Sequence, residues 1–260
     1  MKSLGIMVGM GTCNANCPHC AGVQHRKDAP KEDKTDGAYE YMILQTLRKA
    51  HSEGCKRLSL SGSGEPTLSP KSVSNVLGVA CILGREDIFF DPISLYTNGI
   101  RIGNDPEFCS EYLTQWHQLG LSWMYVTVHN ADPIKNAKGY GVPNYPSLKT
   151  ILKRIHVSGM KMRANIVLSA ESICKLADFK ETIGVLMGLG VDAVSAWPIR
   201  GMDDEVDRML APSDCELDRM DSWTKWKALP VKVQRSRDAY KNGDKMTLFP
   251  DGTLSSKWGC

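Results

Sequence analysis

The sequence predicts an α/β fold: parallel strands rolled into a partial TIM-like barrel of six β/α units, with a small C-terminal extension. Two patterns carry this. Apolar, β-branched runs alternate with helically spaced stretches about six times between residues 4 and 200. Just past the helical stretches stand Gly54, Gly120, Gly159 and Gly190, where a left-handed capping residue is expected.

In chain order, the predicted strands are Leu4–Met10, Arg57–Ser61, Ile93–Thr97, Tyr125–His129, Arg163–Leu168 and Ala193–Trp197. The first helix begins near Asp36, a side chain suited to an N-cap, and carries Tyr39, Met42, Ile43, Leu44 and Leu47 at helical spacing. Further helices are expected over Lys71–Leu83, Glu107–Leu119, Tyr145–Val157 and Ala170–Leu189. Residues 1–200 therefore read as the barrel. Residues 201–260 read as an extension covering it, with a helix at Ser213–Lys227, a basic connector over 228–245 and two short strands about Asp251-Gly252.

Composition narrows the function. With 42% hydrophobic and 23% charged residues in 260, the chain is an ordinary globular protein with enough length for a large core. A net charge of +3 gives no reason to expect nucleic acid as a partner, and the basic stretch near 228–245 is not interleaved with aromatics. No apolar run approaches 18 residues, so no membrane span is expected. The opening MKSLGIMVGM runs directly into a strand and does not read as a secretory signal. Six of the nine cysteines are scattered, an arrangement that suits a reducing cytoplasm better than a disulfide framework.

The other three are crowded. GTCNANCPHCAG places Cys13, Cys17 and Cys20 in a C-x3-C-x2-C pattern, in the loop after the first strand. In a parallel barrel that loop lies at the C-terminal face, where active sites are built. A structural zinc would need a fourth ligand, such as His25. Plain buried or surface thiols fit poorly with so many loop-forming neighbours. An iron–sulfur cluster on three thiolates, with one iron left open, is the preferred reading.

This motif, after the first strand of a partial barrel, resembles that of the radical S-adenosylmethionine (radical SAM) enzymes. The resemblance implies a [4Fe–4S] cluster on Cys13, Cys17 and Cys20, whose unique iron chelates the amino and carboxylate groups of S-adenosyl-L-methionine. It also implies reductive cleavage of that cofactor to a 5′-deoxyadenosyl radical, which abstracts hydrogen from a peptide or small-molecule substrate. His19 stands where the family usually has an aromatic residue near the adenine. Ser63, Gly64 and Glu65 match the Gly-Gly-Glu that binds the methionine amino group, with serine for the first glycine.

The later strands supply further cofactor-binding candidates. Thr97 opens a Thr-Asn-Gly match. Thr127 and His129 share one strand face, as do Arg163 and Asn165, and Arg163 is suited to a carboxylate. Ser169 is placed for ribose, and Trp197 either meets adenine or fills the core. The resemblance covers residues 4 to 200 and names no substrate. It implies oxidation, rearrangement or epimerisation, with a one-electron reductant such as flavodoxin or ferredoxin.

Cys260 is the catalytic candidate of the tail. It is read as a hydrogen donor, as a ligand of a second cluster with Cys174 and Cys215, or as inert. Trp223, Trp226 and Trp258 are read as covering the barrel mouth or docking the tail. The competing function is a non-catalytic zinc or iron–sulfur module that binds a partner through the GVQHRKDAPKEDK loop.

Overall fold

Strand and helix alternate as the sequence requires, and every strand joins one sheet. The computed structural model describes residues 2–20, 22–23, 36–201, 205–235 and 244–256. Among these, nine strands are β1 (Ser3–Met7), β2 (Arg57–Ser61), β3 (Ile93–Thr97), β4 (Leu121–Val128), β5 (Lys161–Leu168), β6 (Ala193–Pro198), β7 (Val231–Val233), β8 (Lys245–Leu248) and β9 (Leu254–Ser255). Their order is β7-β6-β5-β4-β3-β2-β1-β8-β9, so the sheet is unclosed. Every neighbouring pair is parallel except β8 with β9. This is the wall of a partial barrel.

Helices cover one face. In α1 (Gly37–Ser52), Asp36 caps by accepting from the Tyr39 N–H at 2.8 Å, and Tyr39, Ile43, Leu47 and Ala50 are buried. Next come α2 (Pro70–Gly84) and the short α3 (Ile100–Asn104). The helix expected over Glu107–Leu119 is built from α4 (Pro106–Phe108), a π-helical turn (Cys109–Leu113) and α5 (Thr114–Gln118). After β4 follow α6 (Pro133–Tyr140) and α7 (Leu148–Val157), the latter burying Leu148, Ile151, Leu152 and Ile155. The helix expected from Ala170 starts later, as α8 (Leu176–Leu189). The preceding residues form a loop tied down by the Ala170 N–H, which donates to the Leu210 carbonyl at 2.6 Å.

The sheet's two faces differ in chemistry. Beneath the helices, Leu4, Leu60, Leu95, Val126, Val128 and Ile166 are essentially inaccessible to water. Each such side chain contributes about 1.5–3 kcal/mol by leaving water. The opposite, inner face carries Ser59, Tyr96, Tyr125, Thr127, Asn165 and Ser195, following the strict alternation of a strand.

The tail was expected to lie over the barrel. Its described part extends the wall instead. β7 pairs with β6 at one edge and β8 with β1 at the other, so the backbone groups of both former edges are used. Between them α9 (Asp214–Trp226) packs on α8, with the Trp223 ring edge-on to Phe179 at 6.0 Å. Trp223 therefore docks the tail, and Trp226 is exposed. Trp258 and Cys260 lie outside the described residues, as does His25.

Candidate active site at the strand ends

The cysteine loop is clamped from two sides. After β1, the Val8 N–H donates to the Ser61 carbonyl at 2.7 Å, and the chain turns through Gly9 and Gly11, both with positive φ. The Glu65 N–H then donates to the Thr12 carbonyl at 2.8 Å. A Cβ on Gly64 would fall 2.1 Å from the Thr12 oxygen and 2.4 Å from the Gly11 carbonyl carbon, so this contact admits glycine alone. On the far side, the Asn16 N–H donates to the Tyr140 carbonyl at 2.9 Å, and a Cβ on Gly141 would sit 2.2 Å from the Asn16 oxygen.

The thiols lie within this clamp. Cys13 and Cys17 are partly buried against the core, and Cys20 is partly exposed. Asn98 Nδ2 donates to Asn14 Oδ1 at 2.7 Å and stands 3.9 Å from Cys13 Sγ, an amide donor directed at a ligand-type sulfur. A Cβ on Gly22 would be 3.6 Å from Cys20 Sγ and 2.7 Å from the Ser63 carbonyl oxygen, so Ser63 borders the far end of the loop.

Glu65 is buried at the foot of this arrangement. Its Oε1 accepts from the Thr97 hydroxyl at 2.6 Å, the Thr67 hydroxyl at 2.8 Å and the Thr67 N–H at 3.1 Å. Its Oε2 accepts from the Asn98 N–H at 2.7 Å. Burial pushes the Glu65 carboxyl above its ordinary range, while these four donors pull it back. A carboxylate offers about four lone-pair positions, two on each oxygen, so Oε2 retains capacity for a cationic donor. Thr97 also accepts from the Gly99 N–H at 3.0 Å, so its hydroxyl serves Glu65 and the turn.

The remaining candidates divide by depth. His129, just past β4, packs edge-on to Tyr140 at 4.7 Å. Burial, reinforced by His19, holds its pKa at about 4, so the ring is neutral near pH 7. His19 itself has Nε2 3.7 Å from Glu171 Oε2. Thr127 is on the inner face, and its carbonyl accepts from the Tyr140 hydroxyl at 2.6 Å. Ser169 is buried just beyond β5, and Trp197 is a half-buried partner of Val167 in the β5–β6 register. Arg163 and Asn165 lie lower on β5, joined by a 2.9 Å hydrogen bond from Arg163 Nε to Asn165 Oδ1.

Several positioning residues are not legible as such in the sequence. Asn98 reads as half of a turn, yet its N–H, side chain and carbonyl are all engaged, the carbonyl by the Tyr145 hydroxyl at 2.7 Å. Tyr140 and Tyr145 stack at 4.9 Å and brace the loop from below. Asn136 Oδ1 accepts from the His129 and Asn130 N–H groups.

Glu65→Ala tests this carboxylate's part in the fold. It strands four buried donors, and each one left unsatisfied costs about 1–3 kcal/mol. Two are hydroxyls that can turn elsewhere, so the expected loss is about 2–6 kcal/mol, dominated by the two backbone N–H groups. Denaturant unfolding measures it; a loss below about 0.5 kcal/mol would contradict the geometry.

Comparison with known proteins settles the family. The family model of the radical SAM superfamily matches residues 7–195, well over half of the chain. The chain belongs to the radical SAM superfamily. No curated protein sequence matches it. SuiB of Streptococcus suis, solved bound to the precursor peptide SuiA, is similar in structure with a TM-score of 0.66 at 15% identity, covering 98% of this chain and 59% of that one. The protein anSMEcpe with bound AdoMet gives 0.63 at 9% identity, covering 100% and 75%. A radical SAM methyltransferase from Sphaerobacter thermophilus gives 0.60 at 16%, covering 97% and 69%. At these identities the likeness shows the fold, an unclosed TIM-type barrel, and this chain spans well under two thirds of SuiB's length.

Members of the superfamily use a [4Fe–4S] cluster and S-adenosylmethionine. The chemistry of the residues present suits those groups, while among the described residues no three His, Cys, Asp or Glu side chains converge on a single metal ion. Three thiols share one clamped loop, a carboxylate with spare acceptor capacity lies beside it, and Gly64 lets the loop close against the end of the second strand. Among the described residues no helix is long and apolar enough to cross a membrane.

Proposed function

We propose that this radical SAM protein is an enzyme that abstracts hydrogen from a peptide or small-metabolite substrate, with net oxidation, rearrangement or epimerisation. The clamped three-cysteine loop at the C-terminal ends of β1 to β4 carries the reading. Cys13, Cys17 and Cys20 would hold three corners of the cluster. When bound and reduced, the cluster supplies the electron that cleaves S-adenosylmethionine to methionine and a 5′-deoxyadenosyl radical.

The chain's own residues bind, orient and shield. Glu65 Oε2 and the Ser63 carbonyl would accept from the cofactor's ammonium group. His19, Thr127, His129, Asn165, Ser169 and Trp197 border the region open to its ribose and adenine. Thr97 acts through Glu65, which it holds by the 2.6 Å hydrogen bond. A neutral His129 can donate or accept one hydrogen bond without adding a positive charge to the site.

Residues 1–200 form the catalytic unit in this reading, and residues 201–260 border it. A peptide substrate is favoured by the unclosed sheet, which leaves one side of the barrel open, and by analogy with SuiB, solved with a peptide. A one-electron donor of the flavodoxin or ferredoxin type and a reducing cytoplasm complete the proposal.

Iron and sulfide analysis after anaerobic reconstitution tests it. About four irons and four sulfides per chain are expected at this loop. Zinc without sulfide would favour the non-catalytic alternative.

A further inference from the structure

None of the nine strands contains an aspartate or glutamate, whereas four of them contain Arg57, Lys161, Arg163, Lys232 and Lys245. The pairing register puts all five on the inner face, in line with Ser59, Asn165, Ser195 and Thr247. Arg57, Lys161 and Lys245 are the first residues of their strands and ring the N-terminal rim. Arg163 lies further in.

Arg163 is held in a defined pose. Its guanidinium carbon stands 3.3 Å from the centroid of the Tyr125 ring, and Nε is fixed by Asn165. Tyr125 meets Tyr96 edge-on at 5.1 Å, and Lys245 Nζ lies 5.7 Å from the Tyr96 ring, so cations flank the tyrosine pair at the floor. Among the described residues, no carboxylate comes within 4.0 Å of Arg163. A stacked guanidinium with Nε occupied presents its two Nη groups, which match the two oxygens of a carboxylate or phosphate.

Depth separates this position from the cofactor's amino-acid end. Tyr125 precedes His129 by four residues, about 13 Å along a strand. His129 packs on Tyr140, whose carbonyl holds Asn16 of the cysteine loop, so it marks the level of that loop and of the cofactor beside it. A group that reaches Arg163 must descend from that level into the barrel.

We infer that Arg163, seated on Tyr125 and oriented by Asn165, binds an oxyanion of the substrate, a carboxylate or a phosphate, at the barrel floor. The substrate is thereby anionic, its charged end anchored below while the reacting carbon faces the strand ends. An inner face whose strands bring only cations focuses such a molecule into the barrel. This rests on the radical SAM reading, because that reading puts the cofactor above.

The test compares the reconstituted full chain with its Arg163→Met and Arg163→Lys variants, with iron measured in each sample. Inorganic phosphate and acetate are titrated separately, at ionic strength held constant with chloride, and the melting temperature is followed. The wild type is expected to be stabilised saturably. Half-saturation should shift at least about fivefold upward in Arg163→Met and less in Arg163→Lys. A stronger response to phosphate points to a phosphorylated substrate, and a stronger response to acetate to a carboxylate. S-adenosylmethionine affinity should be unchanged in Arg163→Met. Identical anion responses in wild type and Arg163→Met, or a tenfold loss of cofactor affinity, would overturn the inference. Loss of iron in the wild type would instead count against the radical SAM reading.

Discussion

Cys17→Ala is expected to abolish cluster binding and, with it, cofactor cleavage. A three-thiolate site has no spare protein ligand, so iron should fall from about four per chain to below one. Cys17 is packed against the core on a loop held at both ends, so the alanine protein should fold with a similar melting temperature. Loss of iron with retained folding assigns the ligand. Full iron content and normal cleavage in Cys17→Ala would remove Cys17 from the site.

Gly64→Ala is expected to do similar damage without touching a ligand. The added carbon would meet the backbone of Gly11 and Thr12 at 2.1–2.5 Å, and backbone cannot turn aside as a side chain can. Overpacking of this kind costs about 1–3 kcal/mol or more. Relief must come from moving the strand end or the loop, and either displaces Cys13. Iron loading should fall to less than about half. Gly78→Ala is the control, because a Cβ there meets nothing within 4 Å and alanine favours a helix by about 1 kcal/mol. Equal iron in both variants would show that the Gly64 contact does not position the loop.

The barrel was largely legible because its signals are local. Six apolar runs became β1 to β6, with shifted ends: β1 stopped at Met7 and not at Met10, β4 and β5 began earlier, after Gly120 and Gly159, β4 ended at Val128, and β6 ran one residue further, to Pro198. Asp36 and Ser213 capped their helices as their side chains suggest. The edge strands were not legible in the same way. Val231–Val233 is three residues long in a basic segment, and pairing with β6 is what makes it a strand. The C-terminal hairpin carried a turn signal, but nothing local says that β8 lies parallel to β1.

The site divides along the same line. The cysteine spacing and the glutamate after the second strand are contiguous motifs. Asn98 and Asn14 are 84 positions apart and act by one hydrogen bond, and the Tyr140 clamp on Asn16 uses backbone atoms. Such contacts leave no trace in periodicity. Thr97 illustrates the limit: the motif marks the residue, while the fold turns its hydroxyl to Glu65. The inner face is visible as alternation, but only three-dimensional register shows Arg163 over Tyr125 with no acid of the described residues beside it.

The most direct test of the central claim is whether this chain cleaves S-adenosylmethionine reductively. The reconstituted protein should be incubated anaerobically with dithionite and S-adenosylmethionine, and 5′-deoxyadenosine and methionine quantified by chromatography. Equal amounts of the two products, formed by the wild type and absent from Cys17→Ala, are predicted. A wild-type protein with a full complement of iron and sulfide that forms no 5′-deoxyadenosine would contradict the account.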